Sequence, residues 1–183
     1  MELIKNLKEL SLVKGFFLAI VGTILLAISA KVKIPFWPVP MTIQTFVVLL
    51  IGIIYGWKLG LFTVSLYLLE GISGLPVFAG TPEKGIGLVY FTGPTMGYLI
   101  GFLFATFLAG YFNFKKNILV NFVKLLVSVS VIYIFGIFWL GNLIGWDKPI
   151  IQLGVTPFLL AELFKILILS LLANNIFKLR RFI

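Results

Sequence analysis

Residues 154–175, GVTPFLLAELFKILILSLLANN, form an apolar stretch that carries Glu162 and Lys165 near its middle. About 20 consecutive apolar residues are enough for a helix to cross the hydrocarbon core of a bilayer. Each of the two charges would cost roughly 2.5–3.5 kcal/mol at the bilayer centre, even on the gentler insertion scale. The stretch therefore predicts a membrane helix, and its two charges require a reason to be there.

The composition of the whole chain points to lipid as its solvent. Hydrophobic residues make up 61% of the chain and charged residues only 11%, whereas a soluble domain is about half apolar and about a quarter charged. The sequence has no cysteine and no histidine, which excludes disulfides, thiolate nucleophiles, a serine–histidine triad and the usual zinc sites. With only six acidic residues, a multi-carboxylate metal cage is disfavoured. We expect no metal and no cofactor.

Apolar runs predict the organisation of the chain. Six of them are long enough to span or nearly so, and they cover roughly residues 13–30, 41–56, 59–78, 94–112, 118–140 and 156–177. Spans and short connectors use up the chain, which leaves no soluble domain, and the first span is too long for a confident signal peptide. We predict an all-α membrane protein, a compact bundle of about six transmembrane helices in a single domain, residues 1–183.

Positive charges predict the orientation of the bundle. Four lysines lie on one side of the predicted spans: Lys31, Lys33, Lys84 and Lys148. Nine basic residues lie on the other side: Lys5, Lys8, Lys14, Lys58, Lys115, Lys116, Lys178, Arg180 and Arg181. Because cytoplasmic loops carry the excess of positive charge, both termini should be cytoplasmic. The net charge of +9 is thus a topology signal, and no nucleic-acid partner is predicted.

Two connectors on the predicted outer side differ from simple links. Residues 33–42, KIPFWPVPMT, contain Pro35, Pro38 and Pro40, and prolines hold the preceding residues extended. Residues 74–97 interleave glycines with Phe78, Tyr90 and other aromatic residues. These structured extracytoplasmic loops resemble the mouth of a site, although ordinary turns would explain them equally well.

Glu162 and Lys165 are three residues apart, so a helix places them on nearly one face. One interpretation is an ion pair that joins helices; the other is a polar clamp that faces a cavity, since ionisable residues inside a membrane commonly have a function. Such a clamp suits a ligand with an N–H donor beside a carbonyl acceptor. Gln44 of the second span is a further candidate for it, or a simple contact between helices.

The first span has a stripe of small residues at every fourth position. Small residues let a second helix approach closely in lipid, either within the bundle or on a separate subunit. The stripe consists of Gly15, Ala19, Thr23 and Ala27.

Five stretches in series resemble the BioY family of biotin-binding substrate subunits of energy-coupling factor (ECF) transporters. They are PVPMTIQTFVVLLIG (38–52), GLPVFAG (74–80), FTGPTMGYLIGF (91–102), VIYIFGIFWL (131–140) and GVTPFLLAELFKI (154–166). The resemblance implies a six-helix membrane protein with a biotin pocket near its outer face, shielded by the two loops. It also implies a transmembrane coupling subunit and two cytoplasmic ATPases as partners, docking on the stripe of the first helix. ATP hydrolysis would belong to those partners, so this chain is not expected to be an enzyme.

The resemblance also assigns roles to residues. Lys165 matches the family's lysine of the last helix, while Glu162 stands where the family usually has aspartate. We expect Glu162 to accept a hydrogen bond from a ureido N–H of biotin and Lys165 to donate to the ureido oxygen. Tyr90 and Phe78 would supply aromatic walls, and Lys84 would meet the valerate carboxylate at the outer mouth.

Three other functions remain open at this point. The Glu162 departure leaves room for another small vitamin or a biotin precursor as the ligand. An intramembrane enzyme would use Glu162 as a general base beside Lys165, but no second catalytic group accompanies them. A structural or assembly protein would bind no small molecule at all.

Overall fold

Helices account for most of the chain in a computed structural model, which describes residues 12–33 and 37–183 in full and the backbone alone of residues 2–11 and 34. Pro35 therefore lies outside the described residues. The α-helices are α1 (Glu2–Lys31), α2 (Gln44–Ile72), α3 (Leu88–Phe91), α4 (Met96–Tyr111), α5 (Ile118–Ile144), α6 (Ile150–Gly154) and α7 (Leu159–Lys178). Two 3-10 turns, Thr156–Phe158 and Leu179–Phe182, flank α7. Strands β1 (Lys33–Ile34) and β2 (Met41–Thr42) pair antiparallel.

The helices have the length and composition of membrane spans. Among the described residues, four helical segments are apolar and long enough to cross: Leu12–Lys31, Gln44–Ile72, Ile118–Ile144 and Ile150–Phe182. The helix α4 is apolar too, but has only 16 residues. Large apolar side chains such as Leu119 and Leu160 point outward on these helices, as expected where lipid replaces water. The predicted class, a mostly helical multi-pass membrane protein, is confirmed.

The helix α2 reverses direction at Gly56. That residue has φ 73° and ψ 174°, which is outside the helical region and favours glycine. Gln44 Nε2 donates to the Tyr67 hydroxyl at 2.8 Å, although a straight helix would separate these residues by about 35 Å. The element is therefore a hairpin of two rods, 44–55 and 57–72, which correspond to the predicted spans 41–56 and 59–78.

A close contact with α4 holds the hairpin shut. A Cβ atom added to Gly110 of α4 would lie 2.4 Å from the backbone nitrogen of Trp57. The backbones of α4 and the α2 reversal thus approach as closely as glycine permits. In lipid, such packing supplies much of the attraction between helices.

Arg180 caps the carbonyl groups that the reversal leaves without helical partners. Its Nη2 donates to Gly52 O at 3.1 Å and to Ile53 O at 2.9 Å, and its Nε donates to Ile53 O at 3.1 Å. A guanidinium fork satisfies two carbonyls at once. The guanidinium also lies over the Phe177 ring, 4.6 Å from its centroid.

The predicted docking stripe of α1 faces the inside of this chain. Ala19 is 0% exposed and Thr23 is 2% exposed, because α1 packs on α2, where the Tyr55 hydroxyl donates to Leu18 O at 2.9 Å. Gly15 and Ala27 are partly buried. Ala19 and Thr23 are therefore covered by this chain itself, while Gly15 and Ala27 stay partly open, and the role of the stripe in docking stays a prediction.

All the elements that matter for a site meet at one end of the bundle, which we call the loop end. There α1 and α5 finish, α2, α4 and α7 begin, and the β1–β2 pair lies beside segment 73–95. Bonds across this end include Trp139 Nε1 to Gly93 O at 2.9 Å and Tyr98 OH to Gly154 O at 2.9 Å. The opposite end holds Arg180 and the reversal at Gly56.

Candidate ligand-binding site

A cavity lies between the helices at the loop end. Its empty volume, with the part open to solvent included, is about 540 Å³. Its wall comes from the chain around β2 and the start of α2, from segment 79–95, and from α4, α5 and α7. The lining residues are Val39, Pro40, Met41, Thr42, Gln44, Thr45, Ala79, Tyr90, Thr95, Tyr98, Leu99, Phe102, Ile132, Tyr133, Phe158 and Glu162.

The charged pair on α7 is in contact, as its spacing predicts. Lys165 Nζ donates to Glu162 Oε1 at 2.7 Å, and the two side chains are only 14% and 7% exposed. Lys165 also donates to Thr42 O at 2.6 Å and to Thr45 Oγ1 at 3.0 Å. An ammonium group has three N–H donors, and these three oxygens match them. Lys165 could therefore donate to a ligand only by releasing one of these partners.

The two carboxylate oxygens of Glu162 differ in their hydrogen bonding. Oε1 accepts from Lys165 and, at 2.8 Å, from the Thr45 hydroxyl. Oε2 is buried and no hydrogen bond to it is formed among the described residues, but Tyr133 lies close enough to Glu162 for both a side-chain hydrogen bond and a charge interaction with it. Buried polar atoms nearly always have a partner. Because Glu162 lines the cavity, Oε2 is a buried acceptor with free capacity at the cavity wall.

Gln44 lies on the cavity wall with its amide held by the core. Its Nε2 donates to the Tyr67 hydroxyl, which in turn donates to Val77 O at 3.0 Å. Its Oε1 receives only a long contact of 3.4 Å from the Thr42 hydroxyl. The side chain is thus fixed in direction and retains acceptor capacity.

Tyr90 lines the cavity, whereas Phe78 and Lys84 do not belong to its wall. The Tyr90 hydroxyl donates to Ala79 O at 2.8 Å. Burial raises the pKa of the Tyr90 hydroxyl, which keeps it a donor. Phe78 stacks behind Tyr90 with ring centroids 4.9 Å apart and is 1% exposed. Lys84 is exposed on the loop, so it can meet only a part of a ligand that extends beyond the wall.

Several aromatic residues of the wall were not among those predicted from the sequence. Tyr98, Tyr133 and Phe158 form a chain of rings, with centroids 6.0 Å apart for the first pair and 6.3 Å for the second. Tyr98 and Tyr133 could have been found in the sequence, because a tyrosine hydroxyl within an apolar span needs a hydrogen-bond partner inside the protein. Phenylalanines carry no such signal, because those facing lipid look the same in the sequence.

The cavity suits a mainly apolar molecule that has one polar end. Aromatic and aliphatic side chains form most of the wall, and a single compensated carboxylate lies at its α7 side. Among the described residues, no group of three or more potential metal ligands occurs. These features define a class: a helical membrane protein with a ligand cavity enclosed at one end of its bundle.

Comparison with known proteins places the chain within that class. A sequence model of the BioY family matches residues 4–182, so the chain belongs to the BioY family. A probable biotin transporter BioY of Pyrococcus horikoshii is 39% identical over 158 residues, which cover 86% of this chain and 89% of that protein. The biotin transporter BioY of Thermotoga maritima is 37% identical over 161 residues, covering 86% and 92%.

A solved structure has the same fold. The S-component for biotin from an ECF-type ABC transporter superposes with a TM-score of 0.77 at 24% sequence identity, covering 92% of this chain and 93% of that one. At this identity, the likeness establishes the architecture of the bundle.

Proposed function

We propose that this protein captures biotin in the membrane as the substrate-specific subunit of an ECF-type transporter. The observation that carries the proposal is Glu162 Oε2, a buried carboxylate oxygen on the cavity wall without a partner among the described residues. The relatives of the chain support the choice of ligand, because the two compared above are named as biotin transporters.

The ureido head of biotin fits the polar end of the cavity. It presents N–H donors on either side of a carbonyl, and Glu162 Oε2 would accept from one of the N–H groups. Lys165 would hold the carboxylate charged and in place, and donation to the ureido oxygen would require it to release Thr42 or Thr45. Tyr90, together with the other aromatic residues of the wall, would cover the apolar ring system.

The valerate chain of biotin would then point toward the open side of the cavity. Lys84 is exposed on the loop at this end and is the cation that we propose for the carboxylate. Phe78 would act indirectly, since its ring supports that of Tyr90.

We propose that the loop end faces outward and that both termini are cytoplasmic. The surplus of lysine and arginine at the opposite end supports this orientation. In this arrangement α1, the two rods of α2, α4, α5 and α7 would all cross, as six transmembrane helices. The rods of α2 and α4 measure only about 18–24 Å at 1.5 Å per residue, so they would cross where the bundle or the bilayer is thin.

The partners would be a transmembrane coupling subunit and two cytoplasmic ATPases. ATP hydrolysis would take place on the ATPases, and this chain would contribute binding alone. Docking on α1 would use its open side, near the partly buried Gly15 and Ala27. Ala19 and Thr23 would become available only if α1 separated from α2.

A panel of vitamins tests the ligand directly. The purified protein is heated with each vitamin in turn, and its unfolding temperature is followed. Biotin at a hundred times its dissociation constant should add roughly 2.7 kcal/mol to the unfolding free energy. If a different vitamin stabilised the protein and biotin did not, that vitamin would be the ligand. If no vitamin stabilised it, the result would favour an assembly protein that binds no small molecule.

A further inference from the structure

We propose that Lys31 is a positioning residue that fastens segment 77–85 over the cavity and thereby sets how slowly a ligand leaves. The inference rests on the proposed function for the identity of the ligand, whereas its structural basis is independent of that identity. In the sequence, Lys31 counted only as one of the charges that predict orientation.

Lys31 joins the end of α1 to the loop. Its Nζ donates to Phe78 O at 3.1 Å, to Thr81 O at 3.1 Å and to Thr81 Oγ1 at 3.0 Å. The three donors of one ammonium group thus meet three acceptors within four residues of the loop. Bonds from a charged donor are stronger than those between neutral groups.

The atoms that Lys31 holds flank the cavity wall. Ala79, which lines the cavity, lies between the two carbonyl groups of Phe78 and Thr81. Ala79 O accepts from the Tyr90 hydroxyl at 2.8 Å, and Tyr90 lines the cavity as well. A displacement of segment 77–85 would therefore move two parts of the wall together.

The segment has little regular structure that would hold it otherwise. It contains neither helix nor strand, only turns, with local bonds from Lys84 N to Gly80 O at 2.8 Å and from Gly85 N to Pro82 O at 2.9 Å. The Phe78 ring is anchored in the core, but the part that follows it is linked to α1 by Lys31. A segment without helix or strand opens more readily than the helices around it, so the Lys31 link adds to the bonds from Tyr67 to Val77 O and from Tyr90 to Ala79 O in holding the segment closed.

The test compares Lys31→Met with Lys31→Arg and with Lys33→Met, an exposed lysine of β1 that lies outside the link. Labelled biotin is bound to each purified protein and chased with unlabelled biotin. Lys31→Met should raise the dissociation rate about tenfold or more, as expected for the loss of hydrogen bonds from a charged donor. Lys31→Arg should restore slow release in part, and Lys33→Met should behave like the wild type.

Two further measurements separate this role from general stability and from the choice of ligand. The unfolding temperature without ligand should differ little between Lys31→Met and Lys33→Met. In the release experiment, an equal dissociation rate in Lys31→Met and wild type would overturn the proposal. Hydrogen exchange of the amides in residues 81–85, measured without ligand, should be faster in Lys31→Met. If wild-type protein fails to bind biotin, the proposed function fails, while unchanged exchange in Lys31→Met would refute the Lys31 link by itself.

Discussion

At the scale of single residues, Lys165 is an internal partner of the Glu162 carboxylate. Its ammonium group is surrounded by Glu162 Oε1, Thr42 O and Thr45 Oγ1. Removing one partner of a buried pair leaves an uncompensated charge, which costs far more than the pair itself contributes. Stability and ligand binding should therefore respond differently to changes at this pair.

Substitution of Lys165 by methionine should destabilise the protein by roughly 3–5 kcal/mol, because Glu162 is then buried without its cation. The double variant Lys165→Met with Glu162→Gln should recover most of that loss, since no buried charge remains. It should not recover stabilisation by biotin, because the charged acceptor is gone. Thermal unfolding with and without biotin measures both effects.

The matched control is Lys148→Met, which removes a lysine from an exposed ion pair with Asp147 and should change stability by no more than about 0.5 kcal/mol. Equal destabilisation of the single and double variants would show that the charge of Glu162 is not what Lys165 compensates.

The sequence predicted the polar centre of the site better than its walls. Two charges one turn apart in an apolar span require each other, so the Glu162–Lys165 contact follows from spacing alone. The other two contacts of Lys165, with Thr42 and Thr45, depend on how the start of α2 meets α7, which no local pattern encodes. Phe78 was expected on the wall but lies behind it, buried in the core and stacked on Tyr90.

At the scale of elements, the α2 hairpin and α4 form one tightly packed unit. The predicted spans matched helices because hydropathy marks their apolar parts. Helix α1, however, reaches back to Glu2, as the charged residues before the first span continue the helix. The predicted third span ran to residue 78, whereas the helix ends at Ile72, ahead of Gly74 with φ 98°. The reversal takes a single residue, Gly56, since a glycine there adopts a positive φ without strain.

Gly110→Ala should destabilise the protein by roughly 1–3 kcal/mol, the usual effect of overpacking. The added Cβ would lie 2.4 Å from the Trp57 backbone nitrogen, and backbone at a reversal cannot easily yield. The control is Gly15→Ala in α1, where the added atom would lie 3.9 Å from Leu59 Cδ1, an ordinary contact. Unfolding temperatures in one detergent compare the two variants, and equal temperatures would contradict the close approach of α4 to the reversal.

At the scale of the whole molecule, the two ends of the bundle differ in charge and in function. The loop end holds the cavity, and the other end holds the surplus of basic residues. The orientation was predicted from charge alone, and the structure adds that the cavity lies at the end predicted to be outside. The boundaries of the cavity could not be predicted, because they arise from contacts between elements far apart in the chain.

Single cysteines can test the orientation, because the natural chain has none. Glu83→Cys lies in the exposed loop at the loop end, and Lys116→Cys is exposed at the opposite end. A membrane-impermeant maleimide added to intact cells should label Glu83→Cys alone, and permeabilised cells should show labelling at both positions. Labelling of Lys116→Cys alone in intact cells would show that the orientation is the reverse of the proposed one.

The fork of Arg180 also limits how the molecule can move. Arg180 donates hydrogen bonds to carbonyl groups at one end of rod 44–55. Lys165 donates hydrogen bonds to Thr42 and Thr45 at the other end. Because both ends of rod 44–55 are held, we expect the rod to stay packed against α7 when a ligand enters or leaves the cavity. We therefore expect a ligand to enter and leave through the opposite wall, which segment 77–85, and not a helix, forms at this end.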